Sequence, residues 1–438
     1  MLKSRFAALL LLVIASNPVL SGDSWDQYFG IPGSSPGGVA AVVVFANKLI
    51  VGGNFTSIGG VTATNLAQWD GTTWAPVGGG VGGVVYALAV SAGQLFVGGH
   101  FSQVGAVRVN NVARWNGTEW SALGEGVNDV VFALASEATN LYAGGHFTTA
   151  GTNQVGKLAR WDGTAWYGLG LGIVPVGPVG VVGTLAVSGD ELYVGGDFRV
   201  AGGIAATNIA RWDGASWHDL GGGLRNFDYG GAENGGVGAL VVDQGILYAA
   251  GEFRLAGSSQ ATNIAAWDGT RWSDLSGGVN GLGSISALAF NGRDLFTGGG
   301  FTNIGGVSAS RLAKWNGRSW SSLGSGVSYM GGLSGTVFGL ASTGSELVAV
   351  GIFTSAGGQP STNIALWRIP HELAIQRSQA DVKLSWPGTG SNFVLEACSS
   401  LSATNWRAVP LTPSLENGEW VVTKELVSTN EIYRLRRR

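Results

Sequence analysis

The segments Glu191-Leu-Tyr-Val-Gly-Gly-Asp-Phe198 and Asn208-Ile-Ala-Arg-Trp212-Asp-Gly-Ala-Ser-Trp217 are one copy of a pattern that runs through this chain seven times. In every copy a phenylalanine has glycine two positions before it, another glycine four residues on and a tryptophan fourteen residues on. The pairs are Phe55/Trp69, Phe101/Trp115, Phe147/Trp161, Phe198/Trp212, Phe253/Trp267, Phe301/Trp315 and Phe353/Trp367. In six copies a second tryptophan follows the first by five: Trp74, Trp120, Trp166, Trp217, Trp272 and Trp320.

Successive first tryptophans fall 46, 46, 51, 55, 48 and 52 residues apart. That is the period of a four-stranded propeller blade and is longer than ankyrin, leucine-rich or tetratricopeptide units. Within the quoted copy, residues 183–188, 191–198, 208–212 and 216–220 are short, rich in β-formers and bounded by glycine or asparagine, which reads as four strands. Asp213-Gly214 separates the third from the fourth, and Asp70-Gly71, Asn116-Gly117, Asp162-Gly163, Asp268-Gly269 and Asn316-Gly317 stand at the same place elsewhere. Such pairs suit a two-residue type I′ turn. That turn would pair Trp212 with Ala215 and Ala210 with Trp217, leaving the two indoles as diagonal neighbours on one face. An indole buries about 150–250 Å², so these tryptophans read as packing residues between sheets.

The seventh copy lacks a fourth strand, because Trp367 is followed by Arg368-Ile369-Pro370. Upstream of the first copy, Trp25-Asp-Gln-Tyr-Phe-Gly30 looks like an orphan fourth strand, and its 30-residue distance to Phe55 lies within the 27 to 36 found between other copies. The expected fold is all-β: a seven-bladed β-propeller over residues 22–369, closed by the N-terminal strand, followed by a small β-sandwich over 370–438.

Composition agrees with a turn-rich β protein: 438 residues with 75 glycines, 12% charged residues and 17 tryptophans. A net charge of −3 gives no electrostatic footprint for nucleic acid. Lys3 and Arg5 precede an apolar stretch over 6–15 and then Val19-Leu20-Ser21, which predicts a signal peptide over 1–21 and export to the outside or the cell surface. No later stretch is long and apolar enough to predict a transmembrane segment. The single cysteine, Cys398, excludes an intrachain disulfide and is expected to be buried.

With its G-G-x-F and N-[IL]-A-x-W-[DN]-G-x2-W signatures, the chain resembles the kelch and galactose-oxidase-like propellers, and more closely the secreted bacterial repeat proteins that carry this pattern, over residues 23–368. The aromatic spacing is longer than that of kelch, and nothing matches the copper ligands of galactose oxidase. Beyond the repeats, Lys383-Leu-Ser-Trp-Pro387, Phe393-Val-Leu-Glu-Ala397, Trp406-Arg-Ala-Val409, Glu419-Trp-Val-Val-Thr423 and Glu431-Ile-Tyr-Arg-Leu435 resemble the C-terminal fibronectin-like modules of secreted bacterial proteins. That resemblance implies a surface-attachment module or a spacer.

Candidate binding residues fall in two groups. The residue before each phenylalanine reads Asn54, His100, His146, Asp197, Glu252, Gly300 and Ile352, five polar groups at one repeated position. The longest connection between copies, residues 221–237, contributes Arg225, Asp228, Tyr229 and Glu233. Two imidazoles and two carboxylates from neighbouring copies could in principle hold a metal, but equivalent positions on adjacent blades are too far apart for shared ligation, so no metal and no cofactor is expected. Glycine clusters such as Gly78-Gly79-Gly80 lack the Gly-Lys-Ser/Thr of a phosphate loop, and no Gly-x-Ser-x-Gly or His-Glu-x-x-His occurs. The resulting expectation is a monomeric, non-catalytic binding or surface scaffold whose ligand is a carbohydrate or a protein. The alternative is a polysaccharide-acting propeller enzyme using Asp197, Glu252 or Asp228 as acid and base.

Overall fold

The computed structural model describes residues 24–27, 29–175, 180–226, 236–280, 283–329, 335–369, 373–377, 381–387, 393–398, 406–416, 419–425 and 431–437. The leader expected over 1–21 lies outside the described residues. Those described are all β, with no helix among them. Two compact units emerge, one made of Trp25–Ser342 with Val348–Trp367 and the other containing Thr343–Leu347 and Arg368–Arg438.

The larger unit is assembled from antiparallel meanders. In the fourth copy, Val182–Ser188, Glu191–Gly196, Ile209–Trp212 and Trp217–Asp219 pair in chain order. Five other copies repeat this succession, and the sheet of Thr336–Ser342, Glu346–Ile352 and Ile364–Arg368 takes Ser24–Trp25 as its outer strand. The first strands of successive sheets lie against one another, and Thr336–Ser342 lies against Val39–Phe45, so the succession returns to its start. All seven pattern phenylalanines are buried.

The turn between third and fourth strands differs from the expected two-residue type. Trp212 faces Trp217 directly and Ala210 faces Asp219, so the connection is a four-residue turn. The cause is the aspartate side chain: Asp213 Oδ1 accepts the amides of Ala215 and Ser216 at 2.8 and 2.7 Å, while the Asp213 amide donates to the Ser216 carbonyl. Only Gly214 takes a positive φ, 96°, whereas a type I′ turn needs two such residues. The same hydrogen bonds leave their mark on acidity: the Ala165 amide and Thr164 hold the Asp162 carboxyl down to about 2.

Direct pairing brings the two indoles of each sheet to 5.0–5.5 Å between centroids. The fourth-strand indole then reaches the preceding sheet. Trp120, Trp166, Trp217, Trp272 and Trp320 donate Nε1–H to the carbonyls of Gly78, Leu123, Leu169, Leu220 and Leu275 at 2.6–3.0 Å. Trp25 does the same to Leu323 at 3.0 Å and lies 5.1 Å from Trp367, so it occupies the fourth-strand place in the last sheet.

In five copies, asparagine four residues before the first tryptophan ties the copy to the next. In Asn65, Asn111 and Asn208, Oδ1 accepts the amide of the pattern phenylalanine and Nδ2 donates to the carbonyl of Val81, Val127 or Leu224 on the following connection. Asn363 accepts the Phe353 amide and donates to Ser34 and Gly37, across more than 320 residues of sequence. All seven residues at this position have φ between 60° and 66°, including Lys157 and Arg311, which replace asparagine. Asparagine tolerates this left-handed region, which costs other side chains about 1–2 kcal/mol. Lys157→Asn is therefore expected to stabilise the protein by about 1 kcal/mol; a urea midpoint that is unchanged or lower would contradict this.

The smaller unit has two antiparallel sheets. One orders Ala374–Arg377, Asp381–Pro387, Glu419–Glu425 and Ser414–Glu416; the other places Phe393–Cys398 between Arg407–Ala408 and Ile432–Arg437. Leu384, Trp386 and Val422 from the first share a core with Leu395 and Tyr433 from the second. Cys398 is buried.

Candidate functional site

The glycine two residues before each phenylalanine shapes the place where a ligand could enter. That glycine lies against the start of the first strand: a Cβ at Gly53, Gly99, Gly145, Gly196, Gly251, Gly299 or Gly351 would sit 2.0–2.3 Å from a carbonyl oxygen there. Opposite this close approach the register skips one residue, at Ala40, Tyr86, Phe132, Gly183, Gly238 and Ser286. Phe338 holds the same sequence position in the seventh copy. A β-bulge re-aims its extra residue, and here all seven line one cavity of about 270 Å³, together with the two residues that follow each of them.

This row is uneven around the cavity. Phe338, Tyr86 and Phe132 make an aromatic arc, interrupted by Ala40, while Gly183, Gly238 and Ser286 make a bare one. Tyr86 and Phe132 meet at 5.3 Å with a 50° tilt, and the Phe132 edge stands 5.1 Å from His146. Tyr86 and Phe338 remain 37% and 39% exposed, large apolar surfaces facing open space. Sequence reasoning missed this row, because its residue types share no chemistry. A usable signal existed: every one stands fifteen residues before a pattern phenylalanine and directly follows a valine or isoleucine.

The residues before the phenylalanines form a rim beside the bulges. The amides of Asn54, His146 and Asp197 donate to the carbonyls of Gly38, Val130 and Val181 at 2.9–3.0 Å, and His100 and Glu252 pair with Val84 and Gly236. Each partner is two residues before a bulge. Asn54, His100 and Glu252 are exposed, and His146 and Asp197 are half-buried. Burial raises the Asp197 carboxyl above its ordinary pKa, against the lowering influence of Arg199. No group of three His, Cys, Asp or Glu among the described residues could hold a metal ion.

The described parts of the connections between copies pair with the repeats. Each adds a strand or bridge to the short hairpin after the next phenylalanine, pairing Ser34, Val81, Val127, Ile173, Leu224, Val279 and Val327 with Ile58, Val104, Ala150, Ala201, Ala256, Ile304 and Ala356. Arg225 belongs to such a strand, and its Nη2 donates to the Gly257 carbonyl at 2.8 Å. Asp228, Tyr229 and Glu233 lie outside the described residues.

A family described as a β-propeller domain of unknown function, DUF5122, matches residues 47–68, and the chain carries a β-propeller domain. No curated protein matches the chain. Among solved structures, it is similar to the extracellular domain of a hybrid two-component system from B. thetaiotaomicron, with TM-score 0.50 and 12% identity over 85% of this chain and 42% of that one. The chain thus spans less than half of that structure. It is also similar to puromycin hydrolase, with TM-score 0.41 and 12% identity over 84% of this chain and 61% of that one. No helix among the described residues is long and apolar enough to cross a membrane.

Proposed function

We propose that this chain is an exported binding scaffold: seven sheets acting as the blades of a closed propeller, with its ligand taken at the mouth of the axial cavity. Closure by the N-terminal strand is supported by Trp25, which repeats the indole contacts of the other fourth strands. The observation that carries the binding reading is the row of bulged residues at the cavity, set within a rim of Asn54, His100, His146, Asp197 and Glu252. A rigid frame with variable residues at one repeated position is how recognition is commonly built. The leader over 1–21 would direct export, in line with the extracellular setting of one structural neighbour. The C-terminal unit, a small β-sandwich, would serve as anchor or spacer.

Carbohydrate is the ligand class favoured by the aromatic surface beside polar rim groups. Residues 22–438 applied to a glycan array should give saturable retention on a subset of glycans, with no release of reducing ends. Retention on none of them, or product release that vanishes in Asp197→Ala/Glu252→Ala, would overturn the scaffold reading.

A further inference from the structure

The cavity mouth has two unlike halves, and their difference specifies a ligand more narrowly than the binding-scaffold reading, on which this inference rests. A β axis that needed only filling would place similar apolar side chains all round it. Here Tyr86 and Phe338 leave more than a third of their surface open on one arc, and Tyr86 and Phe132 meet at a 50° tilt. On the other arc, Gly183 and Gly238 expose backbone in place of side chains. The two sheets that carry those glycines also carry the rim carboxyls, Asp197 and Glu252. One side offers ring faces and the other hydrogen-bond acceptors.

Size narrows the class further. A cavity of about 270 Å³ lies close to the lower end of the range of roughly 300–1,000 Å³ that holds small ligands, which gives room for one ring. We propose that the mouth binds a single pyranose residue, such as the end of a glycan chain. Its C–H face would stack on Tyr86 and Phe338, and its hydroxyls would reach the backbone groups of the bare arc. Aromatic surfaces also attract cations, and a cationic probe therefore belongs in the test.

The test uses residues 22–438 and saturation-transfer NMR with methyl β-glucopyranoside, methyl β-galactopyranoside, methyl α-mannopyranoside and methyl N-acetyl-β-glucosaminide, with tetramethylammonium as the cationic probe. Tyr86→Ala/Phe338→Ala removes the stacking surface from partly exposed positions. Gly183→Leu fills the bare arc, where a Cβ would meet nothing nearer than 3.4 Å. Melting temperatures verify that both variants fold. At least one pyranoside should show transfer to its ring C–H protons, weakened about tenfold in affinity by either variant. Equal transfer in the folded variants, transfer to no pyranoside, or transfer to tetramethylammonium alone would overturn the proposal. Wild-type protein and variants retaining the same glycans equally on the array would leave the scaffold reading standing and remove only the cavity; retention of none by any of them would remove both.

Discussion

Trp25→Ala should destabilise the protein by about 3–5 kcal/mol, the cost of emptying a buried tryptophan site. The side chain is 9% exposed, donates to Leu323 and packs edge-on against Trp367. Gly357 lies against it as well: a Cβ there would be 2.6 Å from Trp25 Cδ1, the relation that Gly202 has with Trp217. If the N-terminal strand seals the propeller, the urea midpoints of Trp25→Ala and Trp217→Ala should fall by similar amounts. A Trp25→Ala midpoint equal to wild type would remove the closure argument, because a strand that frays freely contributes nothing to cooperative unfolding.

The second large effect is expected at the glycine four residues after each phenylalanine. All seven have φ between 51° and 62°, and a Cβ on Gly202 would lie 2.0 Å from Trp217 Cδ1. Gly202→Ala combines left-handed strain of about 1–2 kcal/mol with an overpacking cost of about 1–3 kcal/mol. Gly189→Ala isolates the first of these, since Gly189 has φ of 57° and nothing within 4 Å of its added Cβ. Comparing the two by urea denaturation measures the indole's share. Equal losses would mean that the Trp217 ring gives way without cost.

The four strands of each repeat were legible because phenylalanine, glycine and tryptophan recur at fixed offsets, and the place of Trp25 followed from counting fourth strands. Register was not legible. It depended on Asp213 Oδ1 capturing two amides, and a dipeptide read for its φ preferences does not reveal that. The connecting strands escaped notice because segments such as Leu224–Arg225 are only two residues long. For the site, polarity drew attention to Asp197 and Arg225, yet Arg225 is engaged with a backbone carbonyl. The bulged row combines alanine, tyrosine, phenylalanine, glycine and serine, so only backbone pairing brings it out.

The pairing of Ser24–Trp25 with Ile364–Arg368 also bears on how the propeller could be reconnected. In six sheets the same two positions are joined by a four-residue turn. The break between Trp25 and Trp367 in the last sheet therefore stands where each of those six sheets has its turn. Within the propeller, a circular permutant that joins Trp367 to Trp25 through an Asp-Gly-type tether and opens at Gly214 would keep every strand pairing and break only that turn.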